Sequence, residues 1–119
     1  MNILIVDDDK NTCEILEKFL ELKGHSPTSS NDGKSTLELL QKNEFDRVVL
    51  DMSMPKFSGV DYLKELTRTG LIQKTKVVVY SAMPFSKGEI DSLLKSGAAA
   101  FVDKGKGFGE LLKTLESIK

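Results

Sequence analysis

The chain lacks the features that mark an exported, membrane-embedded or disulfide-bonded protein. It has one cysteine, Cys13, and no tryptophan. Cys13 stands at helical spacing from Leu16 and Leu20, which predicts a buried, reduced thiol rather than a nucleophile or a metal ligand. Apolar runs are too short to span a bilayer, and the N-terminus has no signal-peptide pattern. We therefore expect a cytoplasmic protein without a membrane segment.

The chain also lacks a large excess of positive or of negative charge. The 17 Lys and Arg residues nearly balance 18 Asp and Glu residues, for a formal net charge of -1. No overall field would draw the protein to nucleic acid or to an anionic membrane, so direct nucleic-acid binding is not expected. A length of 119 residues suits one hydrophobic core. We expect one domain over residues 1–119.

Strand-like apolar runs alternate with amphipathic stretches along the whole chain. This alternation is typical of βα units and predicts a parallel sheet in an α/β fold. Residues 25–30 form a polar strand candidate that contains Pro27. Because proline cannot donate a hydrogen bond to a strand ladder, this second strand is predicted at a sheet edge.

Capping patterns indicate where helices begin. Asn11 and Glu14 can form a capping box for the first helix, and Ser58 can cap the third. Ser86 and Glu89 repeat the capping-box pattern before the fourth helix.

Polar side chains collect where the predicted strands end. They are Asp7, Asp8, Asp51, Ser81 and Lys104. The carboxyl ends of parallel strands share one edge, and for the strand order 2-1-3-4-5 the ligand crevice lies between strands one and three. Clustered carboxylates repel one another, and a hard divalent cation such as Mg²⁺ best reconciles them. Lys104 and Ser81 suit an anion, so Asp51 could attack phosphorus and form an aspartyl phosphate.

Four separated segments carry a family resemblance. VDDD after the first strand, VVLDMSMPKFSG around Asp51, YSA after the fourth strand and FVDK after the fifth resemble the receiver domain of bacterial and archaeal response regulators. The resemblance covers essentially the whole chain. It implies a flavodoxin-like, doubly wound (βα)5 sandwich with five parallel strands in the order 2-1-3-4-5.

The resemblance also implies a set of metal ligands. Asp8 would bind Mg²⁺ directly, Asp7 would hold it through water, and Asp51 would be both a ligand and the phosphoacceptor. The backbone carbonyl of Ser53 would supply a further ligand.

Three other residues receive implied roles in catalysis and switching. Ser81 would hydrogen-bond a phosphoryl oxygen and move the loop after the fourth strand, and Lys104 would pair with the phosphate. Phe101 occupies the position of the family's aromatic switch.

The implied function is two-component phosphorelay signalling rather than ordinary enzymatic turnover. A stand-alone receiver would take its phosphoryl group from a sensor histidine kinase or a phosphotransfer protein, and would promote its own phosphorylation and dephosphorylation. The face of helix four, strand five and helix five would then bind a downstream protein or a second copy of the chain. Lys87, Asp91, Lys95 and Phe101 are candidates on that face.

The sequence departs from the family pattern at three positions. Ser81 replaces the common threonine. Gly105 follows Lys104 where the family commonly has proline in a cis bond, and a cis non-proline bond costs about 2.5–4 kcal/mol, so a trans bond is expected. Phe101 lacks the hydroxyl of the frequent tyrosine, which favours an inward ring.

Other functions remain open at this point. A pseudo-receiver would keep the fold as a docking module without turning over phosphate. A Mg²⁺-dependent phosphohydrolase is disfavoured because Ser53 stands where a second acid would be needed. A flavodoxin-like electron carrier is disfavoured because three aspartates would repel its anionic cofactor.

Two polar residues receive no role. Asp9 is expected at the rim as a solvated, incidental acid near the start of the first helix. His25, the single histidine, is expected to contact solvent away from the pocket.

Overall fold

In the computed structural model of the protein, residues 1–42, 44–51, 59–82 and 85–118 are described. The strands in these ranges are β1 (Asn2–Val6), β2 (Ser26–Ser30), β3 (Arg47–Leu50), β4 (Lys76–Ser81) and β5 (Ala100–Asp103). The α-helices are α1 (Lys10–Leu22), α2 (Gly33–Lys42), α3 (Gly59–Thr69), α4 (Lys87–Lys95) and α5 (Gly107–Ser117). Short 3-10 turns cover Leu71–Gln73 and Lys104–Lys106. None of these helices combines the length and the apolar character needed to cross a bilayer.

The strands form one parallel sheet in the order β2-β1-β3-β4-β5, which confirms the predicted fold. β2 lies at the edge, and its Pro27 is in register with Ile3 of β1, as the polar, proline-containing segment predicted. The strand order reverses between β1 and β3, where a crevice opens at the carboxyl ends of the strands.

Helices cover both faces of the sheet, and this explains why the central strands are aliphatic throughout. Leu4 and Val6 of β1 pack into the cluster on the side of α2, α3 and α4, whereas Ile3 and Ile5 pack toward α1 and α5. All four side chains are at most 1% exposed. Each such burial stabilises the fold by roughly 1.5–3 kcal/mol, and a strand buried on both faces needs no polar alternation.

The start of α1 corrects two expectations. The helix begins at Lys10, so its N-cap is Asp9, whose carboxylate accepts hydrogen bonds from the backbone amides of Asn11 and Thr12 at 3.0 and 3.3 Å. The predicted capping box of Asn11 and Glu14 is therefore wrong, and Asp9 is not incidental. Hydrogen bonding, chiefly from the Thr12 amide, lowers the pKa of Asp9. Asp9 has the extended backbone that a cap requires, whereas Asn11 already lies inside the helix.

The predicted capping box of α4 is confirmed. The Ser86 hydroxyl accepts from the Glu89 amide, and the Glu89 carboxylate accepts from the Ser86 amide. Ser58, the predicted cap of α3, lies outside the described residues. The first helical residue of α2 is Gly33.

His25 is not the solvent-facing residue that the sequence suggested. Its side chain is only 10% exposed. Nδ1 lies 3.1 Å from the amino group of Met1, and Nε2 lies 3.0 Å from Oε2 of Glu116. The expectation was wrong because both partners are distant in sequence, and a local pattern does not reveal a side chain that links Met1 to the last helix.

Candidate functional site

Asp7 and Asp51 lie side by side because their strands are in register. Val6 is paired with Leu50, and each aspartate is the next residue along its strand. The amide of Asp51 donates to the carbonyl of Val6 at 2.9 Å, and the amide of Asp7 donates to Ser30 at 3.2 Å. The ladder thus holds both carboxylates at the crevice between β1 and β3, where the sequence placed them.

The acidic cluster consists of Asp7, Asp8 and Asp51. One carboxylate oxygen from each lies within 4.8 Å of the other two. Asp7 and Asp51 are each 4% exposed, whereas Asp8 is open to solvent. Buried carboxylates at this separation repel one another unless a cation lies between them. An all-oxygen donor set with one side open to water suits Mg²⁺, which keeps several of its water ligands.

Lys104 brings a positive charge into the cluster. Its Nζ lies 2.9 Å from Oδ2 of Asp7 and 5.8 Å from the ring centroid of Tyr80. Burial alone would lower the pKa of the lysine, but the hydrogen bond to Asp7 and the charges of Asp51 and Asp7 outweigh burial and raise that pKa. The ammonium group is therefore charged at neutral pH, as a group that pairs with a phosphoryl oxygen must be.

The loop that carries Lys104 differs from the prediction in one detail. β5 ends at Asp103, and Lys104 begins a 3-10 turn instead of ending the strand. The Asp103 carboxylate accepts from the Gly105 amide at 2.7 Å and fixes this turn. The bond between Lys104 and Gly105 is trans, as predicted. A side-chain hydrogen bond thus orders a backbone that its glycines would otherwise leave loose.

Ser81 ends β4 and is fully buried. Its register partner is Asp103, the residue before Lys104, so Ser81 and Lys104 share the edge of the sheet that carries the aspartates. Ser53, the remaining predicted ligand, lies outside the described residues.

One supporting residue, Asn31, was missed by the sequence analysis. Asn31 donates from Nδ2 to the backbone carbonyl of Asp7 at 2.8 Å and to Sγ of Cys13 at 3.5 Å. Asn31 directly follows β2, so the rule that identified the other strand ends could have found it. Burial, aided by the charge of Asp7, raises the pKa of the Cys13 thiol to about 11. The prediction of a buried, reduced thiol is in keeping with this protonated state.

Phe101 on β5 is half-buried and packs against the core on the side of α4. Its ring meets that of Phe85 edge to face, with the centroids 5.5 Å apart and the planes at 85°. This position agrees with the inward ring that the sequence favoured. Lys87, Asp91 and Lys95 on α4 are all exposed.

Known proteins are similar to this chain in both sequence and fold. The family model described as "Response regulator receiver domain" matches residues 3–116. The chain belongs to this family. Response regulator MprA of Mycobacterium leprae is 32% identical over 118 residues, which cover 99% of this chain and 50% of the relative. The chain therefore spans about half the length of this curated relative.

Solved receiver structures superimpose closely on the chain. The alignment with the Francisella response regulator 1452 receiver domain has a TM-score of 0.89 and a sequence identity of 30%. It covers 97% of this chain and 93% of the Francisella chain. The response regulator TrrA of Thermotoga maritima was solved in complex with Mg²⁺-BeF. Its alignment with this chain has a TM-score of 0.83 and a sequence identity of 26%, and it covers 97% of this chain and 96% of the TrrA chain.

Membership of this family indicates the general function of the site. Receiver domains are signalling domains of two-component systems, which interact with histidine kinases and downstream effectors and are not conventional enzymes. They hold Mg²⁺ through an acidic cluster, and Asp7, Asp8 and Asp51 form such a cluster here. The electron-carrier and phosphohydrolase alternatives explain neither the family match nor this arrangement.

Proposed function

We propose that this receiver accepts a phosphoryl group on Asp51 in a Mg²⁺-dependent reaction and thereby changes its contacts with other proteins. One observation carries the proposal. Three carboxylates converge within 4.8 Å, and the ammonium group of Lys104 lies at the same cluster. A nucleophile, a cation site and a fixed positive charge are the parts that phosphoryl transfer to a carboxylate needs.

The metal would be held by Asp8 and Asp51 directly and by Asp7 through water. Such an ion would neutralise charge that develops on the phosphoryl oxygens. The TrrA complex with Mg²⁺-BeF supports this assignment by similarity. The carbonyl of Ser53 completes the proposed ligand set and lies outside the described residues.

Several residues of the chain have separate roles in the phosphoryl transfer. The carboxylate of Asp51 forms a P–O bond while the P–N bond to the histidine of a kinase or phosphotransfer protein breaks. The bonding electron pair stays on the departing nitrogen, and the imidazole leaves neutral with its proton on the other ring nitrogen. Lys104 must exchange Asp7 for a phosphoryl oxygen, and the Ser81 hydroxyl donates to another. Asp7 would thereby be freed to help hold the metal through water.

The output is proposed at the face of α4, β5 and α5. Phosphorylation would shift a pre-existing equilibrium between two conformers, since a ligand needs only a few kcal/mol of preference to change partner affinity. Ser81 and Phe101 would change position when Asp51 is phosphorylated. The exposed residues Lys87, Asp91 and Lys95 would contact a downstream protein or a second copy of the chain.

A cytoplasmic location is part of the proposal, because it suits the reduced Cys13. MprA continues beyond the matched region, since the match covers only half of it. The size of the native protein on an immunoblot distinguishes a stand-alone receiver from one fused to an effector, since a fused effector would raise it well above 13.2 kDa.

Acetyl phosphate tests the chemistry directly. Wild type and Asp51→Asn are incubated with and without Mg²⁺, and intact mass is measured before and after hydroxylamine. We expect only the wild type to gain a hydroxylamine-labile phosphoryl group, and only with Mg²⁺. If folded wild type gains none, the proposal fails and the pseudo-receiver alternative, with Lys104 committed to Asp7, replaces it.

A further inference from the structure

The turn that carries Lys104 begins with an exposed acid to which the proposed function gives no role. Asp103 ends β5 and caps the 3-10 turn Lys104–Lys106. Its Oδ1 accepts a hydrogen bond from the Gly105 amide at 2.7 Å. Because this bond spans Lys104, it sets the direction in which Lys104 leaves the strand.

Two further contacts hold the turn at its ends. Asp103 is in register with Ser81 of β4, and the Gly107 amide donates to the carbonyl of Lys104. The bond from Gly105 to Asp103 lies between these points, on the residue directly after Lys104. Without the Asp103 carboxylate, the Gly105 amide would turn to water. The turn would then lose the side-chain constraint that joins it to the strand.

The same bond explains the glycine at position 105. Gly105 is not among the described glycines with a positive φ, so its backbone conformation does not require glycine. A Cβ added at this position would lie 3.1 Å from Oδ1 of Asp103, which is closer than ordinary van der Waals contact. Glycine is suited to positions where another group approaches the backbone closely. Gly105 therefore leaves room for the carboxylate of Asp103.

The reach of Lys104 depends on this turn. Its Nζ lies 2.9 Å from Oδ2 of Asp7 and 5.8 Å from the ring centroid of Tyr80, and its side chain is 24% exposed. In the proposed reaction the ammonium group moves from Asp7 to a phosphoryl oxygen. A lysine side chain is flexible and loses rotamer entropy when it is fixed. A backbone that already points it at the cluster reduces what must still be ordered.

We propose that Asp103 is a positioning residue for phosphoryl transfer, because its hydrogen bond to Gly105 presets the turn from which Lys104 reaches the phosphoryl group. In this chain that bond supplies a constraint that proline, which fixes its own φ, would supply at position 105. The role needs the acceptor oxygen of Asp103 and not its negative charge, since the partner is a backbone amide. The inference rests on the proposed function, because it concerns the same reaction.

Beryllium fluoride, an analogue of the phosphoryl group, tests this role without turnover. Wild type, Asp103→Ala and Asp103→Asn are titrated with it in saturating Mg²⁺ and followed by amide NMR. We expect Asp103→Ala to bind at least fivefold more weakly, and to take up phosphoryl groups from acetyl phosphate correspondingly more slowly. Asp103→Asn keeps the acceptor oxygen and should stay within twofold of wild type. Solvent exchange of the Gly105 amide should be faster in Asp103→Ala and unchanged in Asp103→Asn.

Mg²⁺ affinity provides an internal control. Measured without beryllium fluoride, it should be the same within twofold in all three proteins, because Asp103 is not among the proposed metal ligands. The matched control is Glu110→Ala, which removes the same charge from the exposed first turn of α5 and should behave like wild type throughout.

Gly105→Ala gives a second, independent route to the same bond. Its methyl group crowds Oδ1 of Asp103 and should weaken the binding of beryllium fluoride. It should add little in the Asp103→Ala background, because both changes act on one hydrogen bond.

Two results would overturn the inference while the proposed function stands. In the first, Asp103→Ala binds beryllium fluoride as well as wild type does. In the second, Asp103→Asn loses as much affinity as Asp103→Ala, which would assign the effect to charge. If the wild type itself binds no beryllium fluoride with Mg²⁺, the proposed function fails, and the inference fails with it.

Discussion

The ion pair of Lys104 and Asp7 determines the charge of the pocket before a phosphoryl group arrives. It places an ammonium group among three carboxylates, and the same ammonium must later face a phosphoryl oxygen. A single residue therefore serves two anionic partners in turn. This makes Lys104 a sensitive point for mutation.

Lys104→Gln should slow phosphoryl uptake from acetyl phosphate on the order of a hundredfold, since removal of one preorganised charge in a buried site has about that effect. Binding of Mg²⁺ should persist, because no carboxylate is lost. The matched control is Lys106→Gln, an exposed lysine of the same 3-10 turn, which should react like wild type. Time courses of intact mass give both rates. Equal rates for the two variants would remove Lys104 from the mechanism.

Glu89 offers a pH-dependent prediction. Hydrogen bonds from Ser86, above all from its backbone amide, lower the pKa of Glu89 from its ordinary value. A carboxylate whose pKa is lower in the folded state stabilises the fold when the pH is above its pKa in the unfolded state. This stabilisation is lost as the pH falls through its pKa in the folded state. Glu89→Gln keeps the capping hydrogen bond without the charge. We expect urea unfolding to show the wild type more stable at pH 7, and the gap to narrow as the pH falls below about 4.3, the ordinary value for Glu, and through the lower folded-state pKa. A gap independent of pH would contradict the prediction.

Among the secondary-structure elements, α5 is held to the sheet by its carboxyl end. Arg47 at the start of β3 donates from Nε to the carbonyl of Leu115 at 3.0 Å and from Nη2 to that of Ile118. Helix ends leave carbonyls without partners, and a guanidinium group satisfies them in a fixed, forked geometry. The last helix thus depends on a residue from the central strand.

Arg47→Lys should lower the free energy of unfolding by about 1–3 kcal/mol, because hydrogen bonds to a charged donor are lost and a point charge cannot span both carbonyls. The matched control is Arg68→Lys, since Arg68 is 68% exposed and, among the described residues, pairs only with Glu65 on its own helix. Its effect should stay below about 1 kcal/mol. Denaturant titrations measure both. Equal losses would show that the contacts of Arg47 with α5 add nothing.

The helix caps illustrate what a sequence can predict. The cap of α4 was correct because Ser86 and Glu89 have no competing cap nearby. The cap of α1 was predicted wrongly because Asp9 was taken as an incidental acid, and local spacing does not decide between neighbouring candidate caps. The strand-end aspartates were predictable because parallel topology fixes their edge. His25 and Arg47 were not, since their partners lie 91 and 68 residues away.

For the whole molecule, the sheet joins the site to the proposed output face. Ser81 ends β4, and two residues earlier Val79 is in register with Phe101 of β5. The Phe101 ring then meets Phe85 in the segment that leads to α4. A displacement at Ser81 therefore has a short, packed route to α4. Such a route carries coupling only if both ends bias the same two conformers.

Phe101→Leu should uncouple the two ends. Beryllium fluoride with Mg²⁺ mimics the phosphoryl group, and in the wild type it should shift amide resonances both beside the site, at Val6 and Leu50, and on the output face, at Ile90 and Val102. Leucine keeps the burial but loses the edge-to-face contact with Phe85, which is worth about 0.5–1.5 kcal/mol. The shifts at the output face should fall by more than half, whereas those beside Asp51 persist. If both sets survive intact, Phe101 is a packing residue and the signal reaches α4 by another route.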